Sequence, residues 1–186
     1  DEPQGSYVEL VRGRHTDGLI LSGPRSDDAY VRALFEEGFP IVLHGRLGDA
    51  GIPSVDVDNV QGARTAVSHL LKLGHRRIGI ITNAPIAYAA SHQRLKGYRT
   101  ALADAGLTFD EGLVRQGNFD EESGYAAISN LMALNEPPTA VFVASDMVAM
   151  GALRALHEAE VRIPEQVALV GFDDITAARF ITPALT

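Results

Sequence analysis

Along almost the whole chain, short apolar runs rich in β-branched residues alternate with amphipathic helical stretches, and few folds are open to a chain with that rhythm. Strand-length runs separated by helix-length stretches imply parallel strands joined by crossover helices. Strands are expected at 18–21, 40–43, 54–57, 78–81, 140–144 and 167–170. Helices are expected at 27–37 (closed by Gly38), 121–134 (Ile128, Leu131 and Met132 inward) and 146–159. Two further helices are defined by their apolar stripes. Asp58 or Asn59 caps one that carries Val60, Ala63, Val67, Leu70 and Leu71 and stops at Gly74. Ser91 caps the other, which carries Leu95, Tyr98, Leu102 and Ala105 and stops at Gly106. The pair Pro137–Pro138 and Pro164 mark turns.

The fold class expected from this order is α/β, with two doubly wound parallel-sheet lobes. The division expected is 1–74 for the N-terminal lobe, 75–180 for the C-terminal lobe and 181–186 for a crossover segment, with the boundary near residues 74–77. No fixed-period repeat or low-complexity tract appears, so any likeness between the lobes is architectural.

At 186 residues, 46% of them hydrophobic and 22% charged, the chain can bury a substantial core. A net charge of -8 argues against this segment gripping a phosphate backbone and favours a small neutral ligand. The absence of cysteine removes disulfides, thiolate nucleophiles and Cys-ligated zinc, and it fits a cytoplasmic setting. Residues 1–7 have neither a basic nor an apolar leader-like region, and no apolar run reaches membrane-spanning length, so no membrane association is expected.

In an open parallel sheet, ligands bind beyond the carboxyl ends of the strands. The residues there are Ser22-Gly23, His44-Gly45-Arg46, Thr82-Asn83, Ser145-Asp146 and Gly171-Phe172-Asp173-Asp174. Hydroxyls, amides, carboxylates, an arginine and an aromatic ring together suit a sugar or nucleoside. Each residue also has a plainer use. Asp146, with Ser145, reads as a helix cap; Arg94 as a solvated charge; Asp173 and Asp174 as turn formers; Phe119 as loop packing. The six histidines show no tight metal-ligand spacing; His69 and His75 read as structural, and the role of His44 stays open. No G-x-S-x-G, G-x-x-x-x-G-K-[ST] or G-x-G-x-x-G motif is present, so the reading is of a non-enzyme with no cofactor and no metal.

Four stretches resemble the LacI/GalR family of transcription regulators: "LGHRRIG" at 73–79, "SHQRLKGYRTAL" at 91–102, "PPTAVFVASDMVAMGALRAL" at 137–156 and "IPEQVALVGFDDI" at 163–175. "TDGLIL", "GFPIVLHGR" and "ITPALT" are similar to the same family in the same order. The resemblance implies a periplasmic-binding-protein-like (type I) fold that takes a sugar-like or nucleoside-like effector, works as a homodimer, and reaches operator DNA through an N-terminal head. It implies that Arg94 holds ligand hydroxyls, that Asp173 accepts from them, that Ser145 is a polar contact, that Phe119 is an aromatic wall, and that His44 tunes specificity. Asp146 would serve as the cap that holds Ser145.

Nothing here resembles the family's DNA-reading head or the first strand and helix of its sensing lobe. The expectation is therefore an incomplete chain belonging to a longer protein. The alternative function is a periplasmic sugar-binding protein serving a transporter, which shares the fold; "LGHRRIG" and the lack of cysteine favour the regulator.

Overall fold

The computed structural model describes Glu9, Val11, Gly13 and residues 16–48 and 51–186. The reading of residues 1–7 lies outside these. Contacts divide the chain into two compact units: residues 1–57 with 87–90, and residues 58–86 with 91–186.

In the first unit, β1 (Leu19–Ser22), β2 (Ile41–His44) and β3 (Ser54–Val55) form a parallel sheet in that order. Leu19 pairs with Ile41 and Ser22 with His44. Helix α1 (Ala29–Glu36) starts at Asp28, whose carboxylate accepts from the Val31 N–H at 3.1 Å. Its Val31 and Leu34 pack on Ile41 and Leu43 of the sheet, with Leu47 and Ile52 completing the core. Side chains alternate across a strand, so Ile20, Ser22, Val42 and His44 share the opposite, exposed face. Residues 87–90 are tied to this unit: the Ser26 N–H donates to the Ala87 carbonyl at 2.7 Å, and Arg25 bridges to Tyr88.

In the second unit, four parallel strands stand in the order β5 (Val114–Arg115), β4 (Ile78–Ile81), β6 (Ala140–Val143), β7 (Ala168–Val170). The central strands read IGII and AVFV and every residue in them is buried, as expected of a sheet covered on both faces. On one face α2 (Asn59–Lys72) and α3 (Ala89–Asp104) lay Ala63, Val67, Leu70, Leu95, Tyr98 and Leu102 over Ile78, Ile80, Phe142 and Val170. On the other, α4 (Glu121–Met132) and α5 (Asp146–Glu158) lay Ile128, Leu131, Val148, Ala152 and Leu156 over Ile81, Val141, Val143 and Leu169. Odd and even strand positions feed opposite layers, which makes the sheet doubly wound.

Several expectations need correction. The unit boundary falls at Val57/Asp58, not near residues 74–77, because the apolar stripe of α2 is part of the second unit's core. Residues 181–186 group with the second unit: the Gly171 N–H donates to the Thr186 carbonyl at 2.7 Å, and Leu185 packs beside the α4–α5 layer. Asp58 is the cap of α2, accepting from the Gln61 N–H at 2.9 Å. Ser91 caps nothing; α3 begins two residues earlier at Ala89, and the buried Ser91 hydroxyl donates to Asn83 Oδ1 at 3.0 Å. Asp146 is the first residue of α5, with Ser145 at the cap position, so Asp146 is not the N-cap.

Candidate functional site

All four strands of the second unit are parallel, so their carboxyl ends share one edge. Following each strand there are Gln116–Phe119 after β5, Thr82-Asn83 after β4, Ala144–Asp146 after β6 and Gly171–Asp174 after β7. Arg94, from the second turn of α3, reaches this edge with a side chain only 12% exposed.

Its placement is over-determined. Nε donates to Asn59 Oδ1 at 2.8 Å, and Nη1 donates to the Ala144 carbonyl. The guanidinium lies 3.7 Å from the centre of the Phe172 ring, a stacked cation–π arrangement. Nη1 also stands 3.4 Å from Asp173 Oδ1. Asn59 is buried at the first turn of α2, and a close helix crossing sets its reach: a Cβ on Gly97 of α3 would meet the Val60 carbonyl of α2 at 2.3 Å. Phe172 has a comparable constraint, since a Cβ on Gly62 would come within 2.8 Å of its ring.

Each Asp173 carboxylate oxygen has its own partner. Oδ2 accepts from the Asp146 N–H at 3.0 Å, capping α5 from another loop, while Oδ1 faces Arg94. Ser145 lies between these two connections. It is buried, extended at φ -163°, and makes no side-chain cap bond. Arg94, Ser145 and Asp173 are thus brought together.

Phe119 stands two strands along the same edge. Its backbone is left-handed, at φ 64°, which costs a non-glycine residue about 1–2 kcal/mol. Its N–H donates to the Asn83 carbonyl at 2.8 Å, and the residue is 48% exposed. The Phe119 backbone is thus fixed while the residue stays about half exposed.

His44 belongs to the first unit. Its Nδ1 is 2.9 Å from Ser22 Oγ, and the two sit at the paired carboxyl ends of β1 and β2.

Three groups whose roles the sequence does not signal complete the second unit's edge: Asn59 and Phe172, which hold Arg94, and Asn83, whose carbonyl holds the Phe119 backbone. Asn59 had been considered only as a cap. Phe172 lay inside a recognised loop, but nothing in its local pattern signals a ring stacked on an arginine 78 positions earlier in the chain.

An arginine fork beside a carboxylate offers paired donors and acceptors to vicinal hydroxyls, each of which can both give and receive a hydrogen bond. Asp173 offsets the Arg94 charge at 3.4 Å. Among the described residues no group of three or more His, Asp or Glu could hold a metal ion, and no helix is long and apolar enough to cross a membrane.

Fold and site together define an α/β ligand-binding domain of the periplasmic-binding-protein kind, and residues 67–186 match the periplasmic binding protein-like domain family. The transcriptional regulator CelR of Thermobifida fusca is 42% identical across the whole chain, which spans 54% of that relative's length. The solved structure of a transcriptional regulator CelR–cellobiose complex superposes with a TM-score of 0.87 at 40% identity, covering 98% of this chain and 56% of that one. A putative transcriptional regulator LacI from Bacillus cereus subsp. cytotoxis superposes with a TM-score of 0.91 at 32% identity, covering 98% and 65%. The chain belongs to the LacI/GalR family of transcriptional regulators. It spans about half the length of the curated relatives it matches.

Proposed function

We propose that this chain is the effector-sensing region of a LacI-type transcriptional repressor and that it binds a small neutral sugar at the strand ends of its second unit. The observation that carries the reading is the Arg94–Asp173 pair. The arginine is fixed by Asn59, the Ala144 carbonyl and the Phe172 ring, and the carboxylate stands 3.4 Å away. Arg94 donates to ligand hydroxyls and Asp173 accepts from them; Ser145 adds a polar contact and Phe119 an apolar wall. A carbohydrate is favoured over a nucleoside by the cellobiose carried by a 40% identical neighbour.

The whole protein acts as a homodimer in the cytoplasm. It binds operator DNA, as fits relatives named HTH-type transcriptional regulators, and it turns over no substrate. Regulators among its relatives favour this over the transport reading.

The test is a thermal-shift panel of mono- and disaccharides, cellobiose included, and nucleosides on the full-length protein. Binding at 100 times Kd adds about 2.7 kcal/mol to stability, a clear rise in Tm. A rise with saccharides alone is the expected result. A panel with no saccharide response, or with a response to nucleosides only, contradicts the proposal.

A further inference from the structure

We propose that Asp146 is a positioning residue for effector binding: its buried carboxylate fixes the loop after β7, so that Asp173 and Phe172 stand where Arg94 requires them. This rests on the functional reading above. Asp146 is 1% exposed, and three backbone N–H groups from that loop converge on it. Oδ1 accepts from Phe172 at 2.9 Å and from Asp173 at 3.1 Å, while Oδ2 accepts from Ile175 at 3.0 Å. In return the Asp146 N–H donates to Asp173 Oδ2 at 3.0 Å.

A carboxylate in the first turn of a helix ordinarily serves that helix's own N-terminus. Here its oxygens are committed to another loop, and the helix end is capped by Asp173 in exchange. The approach depends on Gly171, where a Cβ would sit 2.4 Å from Asp146 Oδ1. The exchange joins the loop after β6 to the loop after β7. The first of these supplies the Ala144 carbonyl for Arg94 and carries Ser145; the second supplies Asp173 and Phe172. Asp146 touches no effector in this scheme and acts through Asp173 and, by way of the Phe172 ring, through Arg94.

Two measurements on the full-length protein test it. Without any ligand, amide hydrogen exchange at Phe172, Asp173 and Ile175 is compared with exchange at the β6 amides. Asp146→Ala is expected to speed exchange at the three loop positions about tenfold or more, because each loses a charge-assisted bond. Asp146→Asn keeps the shape of the side chain but presents one oxygen, so it is expected to deprotect Ile175 while Phe172 and Asp173 stay protected. Should the alanine variant fail to fold, the asparagine variant decides alone. Unchanged exchange at all three positions in whichever variant folds overturns the proposal.

The second measurement uses cellobiose as the probe in a double-mutant cycle. Asp146→Ala is expected to weaken binding about tenfold on its own and by clearly less than that in an Asp173→Ala background, where only its hold on Phe172 remains to be lost. Additive losses overturn the positioning role. If the unaltered protein binds no saccharide, the functional reading falls and the exchange measurement still decides the loop assignment.

Discussion

Arg94 shows how a long, charged side chain can be fixed in place before any ligand arrives. A guanidinium on an exposed helix surface would be a mobile, hydrated charge whose ion pair contributes little. Here it is shielded to 12% exposure, stacked on Phe172 and hydrogen-bonded to Asn59, so that little rotamer entropy is left to lose when a ligand arrives. Replacing Arg94 or Asp173 by alanine is expected to weaken saccharide binding by about 1–3 kcal/mol each, measured by calorimetry. Unchanged affinity in both variants would refute the assignment. Gly62→Ala tests the same geometry from behind: the added methyl lies 2.8 Å from the Phe172 ring and must displace it. Affinity is expected to fall several-fold through the tilted guanidinium, in a variant that touches no ligand, and an affinity equal to the unaltered protein's would show that the ring is not needed.

At the scale of elements, strands that run four residues deep in the core were legible in the sequence, because continuous apolar runs bounded by turn residues have few other uses. β5 was not legible: two residues, Val114 and Arg115, give no periodicity to read, and only pairing with β4 makes them a strand. The caps divide in the same way. Asp58 bonds the N–H three residues on, a relation local enough to be read from sequence. Asp146 and Ser91 bond across the fold, to partners 26 to 29 and eight positions away, so a local reading assigned them to helix ends they do not serve. Asp28 is local and buried, and Asp28→Ala is expected to lower the stability of the first unit by about 1 kcal/mol in denaturant unfolding. No change in midpoint would mean that α1 is held by packing alone.

For the whole molecule, the fold class and the family were readable because the motifs that carry them lie at strand ends and helix starts, where loop chemistry shows. The division into units was not, because the stripe of α2 looks the same whichever sheet it covers; only its contact with Ile78, Phe142 and Val170 decides. That core also predicts a pH dependence. The Tyr98 phenol is buried and donates to the Ile78 carbonyl at 2.7 Å, and burial pushes its pKa far above the usual phenol value of about 10. A pKa raised in the folded state gives stability that is complete below pH 10 and is lost as pH climbs beyond it, since the unfolded phenol ionises first. Alkaline unfolding of the second unit should therefore shift to higher pH in Tyr98→Phe, at a cost of about 1 kcal/mol at neutral pH for the lost hydrogen bond. An alkaline limb that does not move would place its cause elsewhere.

The most direct measurement is a crystal structure of the full-length protein with the saccharide that raises its Tm most. Sugar hydroxyls are expected within about 3 Å of both the Arg94 guanidinium and Asp173 Oδ1, with Phe119 against the sugar ring. A saccharide bound elsewhere, with Arg94 and Asp173 facing only solvent, would contradict the account.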